Sequence, residues 1–312
     1  MARKLTSLQP GAPNFSADEA VVDGFTLGLR AGGRAEKTLQ TYGYSLKTLR
    51  RFQAARNMPP LIHLTTEHLR EYFNEMYARG CKPAGISVRY RAIRQFYRWL
   101  VDEGEREDNP LDRIPAPRVP DTLQPHYTDR DVNAVLKAIG GATRDPLSLR
   151  DRAILLTLYD TGLRGGELCS LRSEDLDWQD LNVRVFGGKG GKDRLVGVSA
   201  ITAQAVERYH RRRQPSPWLF ASREGRSLTF NALRNLLRRV FKKAGVEFRG
   251  VHAFRRGFAI AFLAAGGEPM DLKALAGWES MQMLRRYTKA TETERAIKAH
   301  RRFSPVTNLD RP

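Results

Sequence analysis

Arg164, Lys189, His252, Arg255, Trp278 and Tyr287 occur in that order along the chain, and together they supply what a protein needs to break a phosphodiester with a tyrosine and no metal. A phosphodiester carries one negative charge, and attack by an oxyanion raises it toward two. Preorganised cations beside the non-bridging oxygens therefore gain strength as the transition state forms. Arginine suits that place: its planar fork binds phosphate oxygens bidentately and stays protonated, whereas lysine is a point charge that can give up its proton. Two arginines and one lysine divide into two clamps and one candidate acid. Tyrosine is a poor nucleophile at its free pKa of about 10, so it needs cations or a base that favour the phenolate. His252, three residues before Arg255, is within reach of that duty.

The elements that must position these residues are legible around them. Ala153 to Tyr159 is an apolar helical stretch that stops at Gly162, and a short helix starts beside Arg164 in Thr161-Gly162-Leu163-Arg164-Gly165-Gly166-Glu167-Leu168. An arginine at a helix start is disfavoured by the macrodipole, so Arg164 is wanted for something else, and Glu167 can hold its guanidinium across one turn. Lys189 lies near the tip of a glycine-rich turn between two alternating segments, Val183-Arg184-Val185 and Arg194-Leu195-Val196, which predict a hairpin. His252-Ala253-Phe254-Arg255 opens a helix running to about Ala265, and its first and fourth residues share a face. Tyr287 competes with Tyr42, Tyr72, Tyr90 and Tyr159, which fall in apolar helical patterns, whereas Arg285, Arg286 and Lys289 place positive charge around it in sequence.

Taken singly, each residue has a plainer reading: Arg164 as a surface ion pair, Lys189 as a solvated turn residue, His252 as a cap and Trp278 as core. Order and spacing reverse those readings. A Walker phosphate loop at the hairpin is excluded, because it needs glycine where Phe186 stands and serine or threonine where Asp193 stands.

On these residues the chain resembles the tyrosine recombinases, the phage-integrase and Xer-like family of site-specific DNA recombinases, over nearly its whole length. The family's first arginine falls on Arg164 in T-G-L-R-x-x-E-L, and its acidic helper on Glu167. The hairpin lysine of G-K-G-x-K-x-R falls on Lys189, the H-x-x-R pair on His252 and Arg255, the L-x-G-[HW] position on Trp278, and the nucleophile, nine residues later, on Tyr287. Most relatives carry histidine where Trp278 stands. An indole N–H donates but cannot exchange a proton, so this position can bind a phosphate oxygen and cannot act as acid or base. The resemblance implies cutting and rejoining of DNA strands through a 3′-phosphotyrosyl intermediate, with no cofactor and no metal. A type IB topoisomerase-like relaxing enzyme uses the same chemistry, and a non-catalytic DNA-binding relative is the remaining alternative. Double-stranded DNA is the implied partner, bound by a homo-oligomer, a tetramer on two sites, with a second recombinase or an accessory protein as a further partner.

Composition agrees with a polyanionic substrate. The 312 residues include 53 Lys and Arg against 34 Asp and Glu, a net charge of +19, which draws the chain to nucleic acid and speeds encounter. No apolar run approaches the roughly 20 residues that span a membrane, and Met1 to Gly11 lacks the apolar core of a secretory signal. Cys81 and Cys169, both in helical patterns, make no disulfide framework or zinc spacing. A cytoplasmic protein is expected.

The proline-rich Ile114-Pro115-Ala116-Pro117-Arg118-Val119-Pro120 divides two helical regions. The expected fold is mainly α with a small antiparallel β-sheet, in two domains. A SAM-like helical core-binding bundle (14–112) is joined by a linker (113–126) to a catalytic domain (127–302), with a tail at 303–312; the resemblance implies that the two domains clamp DNA. Four helices are predicted in the bundle: one capped by Ser16 with Glu19 and showing Val22, Phe25 and Leu29; one with Leu39, Tyr42, Leu46, Leu49 and Phe52; one from near Thr65 with Leu69, Tyr72 and Met76; and one with Ile86, Tyr90, Ile93, Phe96 and Leu100. Arg89, Arg91, Arg94 and Arg98 lie on other faces of the last helix, and with Lys192 and Arg194 they are the candidate DNA contacts. In the catalytic region Thr128 with Asp131 caps a helix, and further helices are expected at Ala200–Arg213, Leu228–Ala244 and, after the tyrosine, Glu292–Arg302. With one short helix ahead of the bundle's second, no room is expected for the extra arm-binding domain of many phage integrases. That favours a simple recombinase of the Xer, transposon or plasmid type, as part of a mobile element or otherwise.

Overall fold

Asp18 and Gln53 explain how the first helices meet. In this computed structural model, the Asp18 carboxylate is buried and accepts from Gln53 Nε2 at 2.9 Å and from the Leu61 amide at 2.8 Å, which satisfies a charge that burial would otherwise penalise. The structure describes residues 15–120, 124–140, 144–187, 193–304 and 306, apart from the side chains of 15–17, 286, 289–291, 294, 295, 302 and 303. The expected Ser16 cap, Lys189 and Lys192 lie outside that description.

The chain divides into two compact units, Met1–Asp121 and Thr122–Pro312. The first contains α1 (Phe15–Ala31), α2 (Glu36–Ala55), α3 (Thr66–Ala78) and α4 (Pro83–Asp102). Its core takes the apolar face predicted for each helix: Leu46, Leu49, Leu69, Ile86, Ile93, Phe96 and Leu100 are fully buried. On α1 the most buried positions are Val21 and Phe25, with Val22 and Leu29 at the core's edge. Cys81 stands outside any helix, beyond the end of α3, while Cys169 is helical.

The second unit contains α5 (Asp129–Ile139), α6 (Pro146–Thr161), α7 (Gly165–Ser170), β1 (Leu176–Asp177), β2 (Asn182–Val185), β3 (Arg194–Gly197), α8 (Ala200–His210), α9 (Phe230–Lys243), α10 (His252–Ala264), α11 (Pro269–Ala276) and α12 (Met281–Phe303). Thr128 and Asp131 form the expected capping box on α5. α6 is buried on most of its circumference: Ala153, Ile154, Leu155 and Leu158 are fully buried in the main core, and the buried Arg150 and Asp151 pair with each other. The sheet has the order β1-β2-β3, all antiparallel, with Val183 opposite Val196 and Val185 opposite Arg194. A separate apolar cluster joins α10, α11 and α12 through Phe258, Leu263, Leu272, Leu284, Trp278 and Tyr287. One expectation is corrected: no separate helix follows the tyrosine. α12 runs unbroken through Tyr287 and the whole of 292–302, because nothing between them is a glycine or a proline.

Candidate active site

The site grows from two glycine-ended helices. α6 stops at Gly162, whose φ of 61° lies in the left-handed region, and a Cβ there would stand 2.3 Å from Phe258. Only glycine meets both demands. The chain is thereby turned into α7 with Arg164 at its N-cap. Glu167 answers the electrostatic objection to an arginine there: one carboxylate oxygen accepts the Arg164 amide at 2.8 Å, and the other accepts its guanidinium at 2.7 Å. Arg164 remains exposed, with its head held in place.

α11 ends in the same manner at Gly277, φ 62°, and delivers Trp278 into the apolar cluster that joins α10, α11 and α12. Arg255, on α10, sits between the two helix ends. It is 1% exposed, and it donates from Nη1 to Gly162 O at 2.9 Å and from Nη2 to Ala276 O. Two helix C-termini, each with partial negative charge, thus receive one cation. Burial first, and then the nearby Arg164, hold the Arg255 pKa down at about 10, still protonated at neutral pH. Its guanidinium lies 5.4 Å from the Trp278 ring centroid, and the indole stacks on Tyr287 with centroids 4.9 Å apart and planes 7° from parallel. The indole Nε1 is buried and has no hydrogen-bond partner among the described residues, a costly condition for a donor unless an acceptor is to be supplied.

His252 opens α10 as predicted and is exposed. Partial withdrawal of its ring from water, then the charges of Arg256, Arg255 and Arg164, lower its pKa below the ordinary histidine value, so it is neutral at pH 7. The structure therefore gathers Arg164, Glu167, His252, Arg255, Trp278 and Tyr287 from α7, α10, the turn after α11, and α12.

One sequence reading gains a contributor and another changes. Arg255 and Arg256 on α10 bring positive charge to Tyr287. Of the sequence neighbours expected to supply it, Arg285 points to solvent, and the side chains of Arg286 and Lys289 lie outside the described residues. Arg256, whose Nε also donates to Pro125 O at 2.8 Å, had no signal beyond adjacency to Arg255. The change concerns Arg194. Its side chain is 10% exposed, and its guanidinium donates to both Glu167 oxygens, at 2.8 and 3.1 Å, and from Nε to Leu275 O at 2.9 Å. It faces inward, with its guanidinium taken up by protein oxygens. With burial opposing them, Arg194 and Arg164 together hold the Glu167 pKa down at about 2.

The other candidate contacts lie on α4. Arg91, Arg94 and Arg98 are exposed; Arg94 pairs with Asp112 at 3.0 Å, and the half-buried Arg89 lies over the Tyr44 ring at 5.6 Å.

Comparison with known proteins decides the family. The Phage integrase family matches residues 127–294, and the phage integrase N-terminal SAM-like domain matches 22–104. The chain belongs to the phage integrase family. Among its relatives, tyrosine recombinase XerD of Caulobacter vibrioides is 33% identical over 288 residues, covering 88% of this chain and 93% of its own. Tyrosine recombinase XerC of Xanthomonas campestris pv. campestris (strain B100) is 31% identical over 255 residues, covering 80% and 78%. Solved members share the fold at lower identity. XerH bound to a palindromic difH substrate gives a TM-score of 0.72 at 19% identity, over 91% of this chain and 84% of that one. A lambda integrase (75–356) dimer bound to a COC′ core site gives 0.70 at 19%, over 85% and 96%.

Proposed function

We propose that this family member is a site-specific DNA recombinase that cuts and rejoins strands by metal-independent transesterification. The Tyr287 oxygen attacks the scissile phosphorus, the bond to the 5′ oxygen breaks, and a 3′-phosphotyrosyl link and a free 5′-hydroxyl result. Arg164, Arg255 and the Trp278 N–H hold the non-bridging oxygens as their charge grows. Lys189 protonates the departing 5′ oxygen, His252 assists loss of the phenol proton or binds phosphate, and Glu167 positions Arg164. Because the covalent link keeps the energy of the phosphodiester, a 5′-hydroxyl from another duplex reseals it without ATP.

The observation that carries this reading is the contact set of Trp278: an unpartnered buried N–H on a ring that has both a buried arginine and the tyrosine against it. A structural tryptophan would have its donor satisfied or exposed.

Double-stranded DNA is the substrate, and a homo-oligomer, a tetramer on two sites, is the working form. Support comes from family membership and from the lambda integrase tetramer bound to a Holliday junction, which shares this fold at a TM-score of 0.71. The catalytic domain spans 127–302 and the core-binding domain 14–112, with Arg89, Arg91, Arg94 and Arg98 as phosphate contacts. No helix among the described residues is long and apolar enough to cross a membrane, and the protein works on DNA in the cytoplasm.

The test is a magnesium-free incubation of the full chain with DNA from its own genomic neighbourhood, quenched in denaturant, for wild type and Tyr287→Phe. An adduct in wild type alone is expected, and the attached DNA identifies the target. Wild type without adduct, or an adduct surviving in Tyr287→Phe, overturns the reading.

A further inference from the structure

Arg194 opens β3 opposite Val185, so it stands at the base of the hairpin whose connecting residues, 186–193, include Lys189. A basic residue at such a base is ordinarily solvated. Here all three guanidinium nitrogens are engaged by protein oxygens: Nη1 and Nη2 by Glu167, and Nε by Leu275 O. Gly277 closes over the stem, since a Cβ there would stand 2.9 Å from Arg194 Cδ.

The consequences follow from what each partner does. Glu167 is shared: Oε1 accepts from Arg164 Nη1 and Arg194 Nη1, and Oε2 from the Arg164 amide and Arg194 Nη2. Leu275 lies in the last turn of α11, three residues before Trp278. One side chain therefore ties the carboxylate that orients Arg164 to the turn that delivers Trp278, and holds the hairpin base against both. A half-buried ion pair is a weak device for stability alone. A bidentate fork, by contrast, fixes orientation as well as distance.

We propose that Arg194 is a positioning residue of the recombination site, setting the placement of Arg164 relative to Trp278 and anchoring the base of the hairpin that carries Lys189. It touches no phosphate. The inference rests on the recombinase reading. Lysine cannot replace it, because one nitrogen cannot span both Glu167 oxygens and Leu275 O.

The experiment compares wild type, Arg194→Lys and Arg194→Gln as full chains in three measurements: single-turnover adduct formation on the duplex recovered by wild type, salt dependence of binding to a mixed-sequence DNA duplex, and thermal melting. Both variants are expected to slow adduct formation on the order of 10- to 100-fold, the scale of a misplaced catalytic group, with lysine no better than glutamine. The slope of log affinity against log salt stays unchanged in Arg194→Gln. A slope reduced by about 1 marks a lost phosphate contact and overturns the proposal; so does a wild-type rate in Arg194→Lys. Should the variants melt early, the Glu167→Gln background separates fold from positioning. There Arg194→Lys is expected to add less than about twofold, since the two act as one unit, and a full multiplicative loss overturns the proposal. Wild type without adduct removes the recombinase reading and this inference together, whereas a wild-type adduct with unaffected variants removes this inference alone.

Discussion

Trp278 lies flat against Tyr287, ring on ring at 4.9 Å, and the Arg255 guanidinium touches the same indole. The proposed mechanism gives this one side chain two roles: a flat surface that orients the phenol, and an N–H donor. Substitution separates them. Trp278→Phe keeps a ring to stack and removes the donor; Trp278→Ala removes both. Single-turnover adduct formation is expected to fall on the order of 10²-fold for phenylalanine, the scale of one lost oxyanion donor, and further for alanine. Equal rates in wild type and Trp278→Phe would leave the indole N–H without a role.

Arg164 is held by Glu167 but exposed, so its removal costs little fold. Arg164→Ala should melt close to wild type and lose on the order of 10²-fold or more in adduct formation. A large drop in melting temperature with proportionate loss of activity would make it a structural residue.

For Lys189 the discriminating substrate is one with a better leaving group. Lys189→Ala is expected to be slow on normal DNA and partly restored on a 5′-bridging phosphorothiolate, whose sulfur departs without a proton. Absence of restoration would assign the lysine to clamping.

Glu167 makes a prediction about acid. Its pKa is held at about 2, below the unfolded value of 4.5, so the stability it contributes is complete above pH 4.5 and lost as pH falls through the folded pKa. Denaturant melts of wild type and Glu167→Gln should differ by a constant amount from pH 7 to about 5 and converge below that. A difference that grows on acidification contradicts the ion-pair arrangement.

His252 has a lowered pKa. The rate should therefore hold from neutral pH down past 6.5, the ordinary histidine value, and fall only below it. That acid limb should disappear in His252→Gln. A limb unchanged in the variant would place the titration elsewhere.

Much of this is legible in the sequence. Helical spacing located the buried faces of α2, α3 and α4, because the period that puts Ile86, Tyr90, Ile93 and Leu100 on one stripe is the period of the helix itself. Motif order gathered the site, since Arg164 and Arg255 lie at helix starts and Trp278 follows a helix-ending turn, with Tyr287 placed by its spacing from Trp278. What escaped was tertiary. The inward turn of Arg194 depends on where α11 ends, 81 residues away, and charge in sequence around Tyr287 said nothing of Arg256 arriving from another helix. The unbroken α12 was missed for a different reason: a functional residue invites a boundary that helix propensity does not require.

Arg255 joins the ends of α6 and α11 through the carbonyls of Gly162 and Ala276, and this restricts how the site can change over evolutionary time. A substitution there removes the cation proposed to hold the phosphate and uncaps two helices in a single step, so selection on folding guards the residue even where selection on recombination has lapsed. A descendant of this chain that had given up strand exchange would lose Tyr287 or Lys189 first and keep Arg255 longest, as a fossil of the activity held in place by the architecture.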